Sequence, residues 1–88
     1  MAEYIVNFRQ IVRFSDGRVR TSSLNPSKSD NDEMMERFKS NLKWFGYKCV
    51  GRSKDEHGNF NETYELKDLL VSLKDREVIS RITITTLK

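Results

Sequence analysis

The sequence predicts an α+β fold, a single domain over residues 1–88 built on one mostly antiparallel sheet of about five strands, with a main helix packed on one face. Three observations carry this. Tyr4, Val6, Phe8, Val12 and Phe14 share one parity, interrupted only by Gln10, while Ile5, Asn7, Arg9, Ile11 and Arg13 share the other; period two marks a half-buried strand. Met34, Met35, Phe38, Leu42 and Phe45 recur at helical spacing on one stripe. Glu77 to Leu87 is dense in Ile, Val and Thr, which suit a pleated surface.

The expected order is β-β-α-β-β-α-β. After the first strand comes Ser15-Asp16-Gly17-Arg18, in which Asp-Gly signals a two-residue type I′ hairpin loop. Counting from that loop, Phe14 faces Val19, Arg13 faces Arg20, Val12 faces Thr21 and Arg9 faces Leu24. Paired residues point to one side, so Arg9, Arg13, Arg18 and Arg20 are expected on a single face. Arg13 opposite Arg20 costs some fraction of about 1 kcal/mol and needs relief. An acidic side chain from another strand could supply it, as could a bound phosphate or carboxylate, which arginine's forked donors suit.

Asn25 to Ser29 is polar and turn-rich. A helix is expected over about residues 31–45, with Asp30 as N-cap, Glu33 completing the capping pair and Gly46 at the C-terminal cap. Arg37, Lys39 and Lys43 are assigned to its solvent side. Trp44 falls about 120° from the stripe centre, at the margin of the buried face, where it either caps the core or serves as an interface anchor. Tyr47 to Lys54 and Phe60 to Leu66 form a second hairpin, with His57-Gly58 as its loop. In that register Cys49 faces Leu66, Gly51 faces Tyr64 and Asp55 faces Phe60 on the core side, leaving Lys48, Arg52 and Lys54 on the opposite one. Cys49 then reads as a small core residue. Leu66, Leu69, Leu70 and Leu73 are spaced for a short helix over roughly 67–75; a continued strand turning at Lys74 to Glu77 is the competing reading.

Composition sets the class of activity. The chain is 36% hydrophobic and 33% charged, a globular balance, and its mean hydropathy of −0.69 argues against a membrane span. Residues 1–54 carry 11 Lys+Arg against 6 Asp+Glu, whereas residues 55–88 carry 5 against 7, so the charge is concentrated in one half. A lone cysteine and no signal-like apolar run point to a cytoplasmic protein.

No catalytic set is visible. The single histidine, His57, is expected at a hairpin tip, away from Cys49, and these two cannot furnish a zinc site unaided. Neither glycine-rich nucleotide motif occurs, and no metal or cofactor is implied. Asp55 followed by Glu65-Leu66-Lys67 resembles the Asp…Glu-x-Lys arrangement of metal-dependent restriction-type nucleases. In the counted register, however, Asp55 points to the core and Glu65 and Lys67 point away.

The expected function is that of a small basic non-enzymatic binding module. Its site is an Arg/Lys-rich sheet face of Arg9, Arg13, Arg18, Arg20, Lys48, Arg52 and Lys54, and its partner is nucleic acid. The alternative is an inhibitor or adaptor docking on an acidic protein through Ile5, Ile11, Trp44 and Val50, with the general character of small phage or mobile-element accessory proteins. A strand edge also offers a route to a homodimer.

Overall fold

The computed structural model describes residues 2–67 and 75–88. Its elements are β1 (Glu3–Phe14), β2 (Val19–Ser23), β3 (Ser27–Ser29), α1 (Asp32–Trp44), β4 (Lys48–Lys54), β5 (Phe60–Lys67) and β6 (Arg76–Leu87). The strands form a six-stranded antiparallel sheet in the order β2-β1-β6-β5-β4, with β3 also paired to β1. The α+β class therefore holds, with the order β-β-β-α-β-β-β among the described residues. The short helix expected over 67–75 falls almost wholly outside them. No described helix is long and apolar enough to cross a membrane.

β3 arises from the length of β1 rather than from its own Ser-Lys-Ser sequence. β2 pairs with β1 from Arg9 to Arg13, which leaves the outer edge of Tyr4 to Val6 open, and Ser27 to Ser29 fill it. Unpaired ladder groups next to a helix start are costly, and context overrides the turn-like composition.

Helix α1 leads from the β3 margin to β4, across one side of the sheet. Asn31, not Asp30, is its N-cap: its backbone is extended and its side chain accepts from the Met34 N–H at 2.9 Å. Gly46 closes the other end as expected, with the Tyr47 N–H bonded to the Leu42 carbonyl at 2.9 Å. Met35 and Leu42 are buried against Val6, Tyr64, Ile82 and Ile84, and Tyr4, Phe8, Phe38 and Tyr47 pack around them. Phe8 meets Phe38 edge to face at 6.4 Å. The Tyr4 hydroxyl donates to Asp32 at 2.8 Å, fixing the helix start to β1. The contact line is narrower than the expected stripe, since its flanking members Met34 and Phe45 are exposed.

Both hairpins differ from the expected register, and for the same reason. The Phe14 N–H donates to the Arg18 carbonyl at 2.9 Å and the Gly17 N–H to the Phe14 carbonyl at 3.0 Å; Asp55, Asn59 and Gly58 repeat this at 2.9 and 3.1 Å. Each loop thus has three residues, a type I turn closed by a glycine at positive φ, +94° at Gly17 and +84° at Gly58. Asp16 and His57 keep negative φ, so a type I′ turn, which needs two positive values, is ruled out. The extra loop residue shifts the pairing by one and turns each partner strand over. Arg13 lies opposite Val19 and Arg20 opposite Val12, and the expected Arg13–Arg20 pair does not exist.

In the second hairpin the same shift places Arg52 opposite Glu62 and Lys54 opposite Phe60, on the helix side. A bulge between Cys49 and Gly51 then restores the expected side for Lys48 and Cys49. Cys49 faces Tyr64 on the helix side but is exposed, because β4 is the outermost strand; it is not a core residue.

Asp55 pins the second turn by accepting from the N–H groups of His57 at 2.9 Å and Asn59 at 3.0 Å. Burial pushes its carboxyl up, but the Asn59 and His57 donors outweigh this and hold it below the ordinary carboxylate value. A depressed folded-state pKa adds stability above the unfolded value that is lost as pH falls through the folded one. Stability should therefore decline on acidification below about pH 4. Asp55→Asn keeps the turn acceptor but should flatten that part of a denaturation-midpoint profile.

Candidate functional site

The seven cations expected on one face occupy two margins of the sheet. Arg9 and Arg13 on β1, and Lys48 on β4, project from the side away from α1. Arg18, Arg20, Arg52 and Lys54 belong to the helix side. With β6 and β5 between the hairpins, β2 and β4 stand about 19 Å apart at the usual strand spacing. A single seven-residue basic face is not formed. Its expected apolar centre also disperses: Ile11 is buried opposite a buried Ile79, Ile5 is half-buried, and Val50 is exposed at the β4 bulge. Trp44 is 89% exposed, well beyond the expected margin of the core.

The β1–β2 margin keeps four of the seven together, distributed over both sides of the sheet edge. Arg9 and Arg13 lie on one side, Arg18 and Arg20 on the other, and every residue of β2 is exposed, including Thr21, Ser22 and Ser23. Arg18 is held at the turn by Asp16, Nε to Oδ2 at 2.7 Å, with its guanidinium 4.8 Å from the centre of the Phe14 ring. Arg76 on β6 approaches the same ring at 5.5 Å. Among the described residues Arg9, Arg13 and Arg20 form no ion pair. A facing arginine pair does exist, but it is Arg9 with Arg81. Its relief comes from the next strand, where Glu65 accepts from the Arg81 Nε at 2.7 Å.

The main buried charge among the described residues lies outside the expected site. Glu62 is 5% exposed and lies under α1, with Lys39 Nζ at 2.7 Å from Oε1, the Tyr64 hydroxyl at 3.1 Å and Arg52 Nε at 3.7 Å from Oε2. Lys39, expected in solvent, is folded inward, with its side chain 19% exposed. Burial first, and then the Glu62 charge, raises the Tyr64 hydroxyl above its ordinary value and keeps it a donor. The signal was there: Phe60, Glu62, Tyr64 and Leu66 share one parity, and a carboxylate on an apolar strand face requires a cation.

The nuclease-like triplet does not converge. Asp55 is engaged in its turn and Glu65 is paired with Arg81, while Lys67 lies 3.9 Å from Glu77. Among the described residues no cluster of His, Cys, Asp or Glu is placed to hold a metal ion. No protein-family model, curated protein or solved structure matches this chain.

Proposed function

We propose that this protein is a small, non-enzymatic, cytoplasmic module that binds nucleic acid through the β1–β2 margin rather than through an open sheet face. The observation that carries this is the set of arginines straddling one sheet edge, three of them in no ion pair among the described residues. Arginines on both sides of an exposed strand can reach successive phosphates, and the Thr21, Ser22 and Ser23 hydroxyls between them are of the type that hydrogen-bonds phosphate oxygens. The test is affinity against salt. With four arginines engaged, the logarithm of the binding constant should fall against the logarithm of salt concentration with a slope of about −3. A flat plot sinks the reading.

A second reading is favoured by one observation. Trp44 and Phe45, adjacent at the end of α1, are 89% and 77% exposed, and large exposed aromatics are typical anchors of protein interfaces. An inhibitor or adaptor would use them. Trp44→Ala separates the two, since it leaves salt-dependent binding of oligonucleotides intact if the arginine margin is the site.

A further inference from the structure

Beside the arginine margin, on the helix side of the sheet, lies a cleft of about 330 Å³. Its floor is the row Ser22–Gln10–Ser80 across β2, β1 and β6, and Phe8, Leu24 and Tyr47 form its walls. Gln10 and Ser22 are exposed and Ser80 is half-buried, so the row is open to a ligand. It interrupts an otherwise apolar run on that side, with Val12 and Val78 on one flank and Phe8 and Ile82 on the other. Among the described residues the side chains of Ser22, Gln10 and Ser80 make no hydrogen bond. An amide and two hydroxyls with no protein partner among the described residues thus line one cleft together with the side chains of Phe8 and Tyr47.

The alternation of β2 connects this cleft to the cations. Arg20, Ser22 and Leu24 follow one another at every second position, so Arg20 stands directly beside the cleft, about 7 Å from Ser22 along the strand. A group whose flat face suits Phe8 and Tyr47, whose edge carries donors and acceptors for Gln10 and the serines, and which bears a phosphate for Arg20 is a nucleotide. The cleft is open to solvent, and its volume has room for one base. A base held inside a duplex cannot enter such a cleft, whereas an unpaired base can be splayed out into it. We infer that the cleft is a base-binding subsite, and that the nucleic acid is single-stranded. This rests on the arginine margin as the phosphate contact and adds the strand form and the base site.

The experiment uses the full chain and fluorescence anisotropy with three labelled probes: a mixed-sequence single strand, the same sequence as a duplex, and a single strand of the same length with abasic sites. The single strand should bind roughly tenfold tighter than the abasic strand, the scale of one stacked base. Ser80→Leu, which raises the floor of the cleft and removes one hydroxyl, should sharply reduce that difference and leave the duplex affinity and the salt slope unchanged. Gln10→Ala, a milder change whose folding is verified by thermal melting, should reduce the difference severalfold. Equal affinity of the wild-type protein for normal and abasic strands overturns the base site, as does a difference that survives both substitutions. In either case a steep salt slope shows that the arginine margin still stands. A flat slope with all three probes overturns the margin and the subsite together.

Discussion

Replacing Glu62 with alanine is expected to lower stability by about 3 kcal/mol, because it leaves Lys39 under the helix with only the exposed Glu36, at 4.0 Å, as a counter-charge. In a domain of this size that corresponds to a fall of about 15 °C in melting temperature. The pair is not simply a source of stability. Exchanging both charges for neutral groups of similar volume, Glu62→Gln with Lys39→Met, should recover most of the loss, since the desolvation of two charges roughly offsets their attraction and glutamine keeps an acceptor for the Tyr64 hydroxyl. A single Glu62→Ala variant with an unchanged urea midpoint would show that the carboxylate is not held as described. What the pair contributes is position: Lys39 reaches Glu62 only when α1 sits with Met35 and Leu42 over Val6, Tyr64 and Ile82.

The second large effect is on binding. Arg9→Glu combined with Arg20→Glu should lower affinity for nucleic acid at least a hundredfold at low salt and make the salt slope shallower by about 1.5, roughly 0.7 for each phosphate left unneutralised. These two positions follow from the register. Arg9 faces Arg81, so a carboxylate there gains an arginine opposite, and Arg20 faces Val12, where no acidic side chain is met directly. Arg13→Glu is the poorer choice, because Arg13 stands opposite Glu77 and the substitution sets two carboxylates against each other. Anisotropy titrations with a parallel melting curve decide the matter. Undiminished affinity in a folded double variant removes the margin as the binding site.

Much of the fold was legible because it follows local rules. The alternation of β1, the Ile- and Thr-rich β6 and the glycine-terminated helix all appear where the sequence places them. What local rules did not fix was register. Asp16-Gly17 and His57-Gly58 each allow a two-residue or a three-residue loop, and only the backbone at the residue before glycine distinguishes them. That single difference transferred Arg18, Arg20, Arg52 and Lys54 to the other side of the sheet. Strand order was equally hidden. Two basic hairpins, read separately, look like halves of one surface, yet β6 and β5 lie between them. Gln10, by contrast, was visible from the outset as the one polar break in an apolar run, and it lies at the centre of the cleft.

The pairing of β1 with β6 has a consequence for how the molecule comes into being. This central ladder runs the full length of both strands, joining Glu3 to Leu87 and Phe14 to Arg76, so the middle of the sheet is made from segments far apart in sequence. A nascent chain emerging from the ribosome can close the β1–β2 hairpin and start α1, but β1 has no central neighbour until β6 has been synthesised. Until then Val6 and Phe8 have only α1 to cover them, on a strand whose inner edge is unpaired. The arginines along that strand and its partner are already present, and their mutual repulsion works against association with other unfinished chains while the sheet lacks its centre.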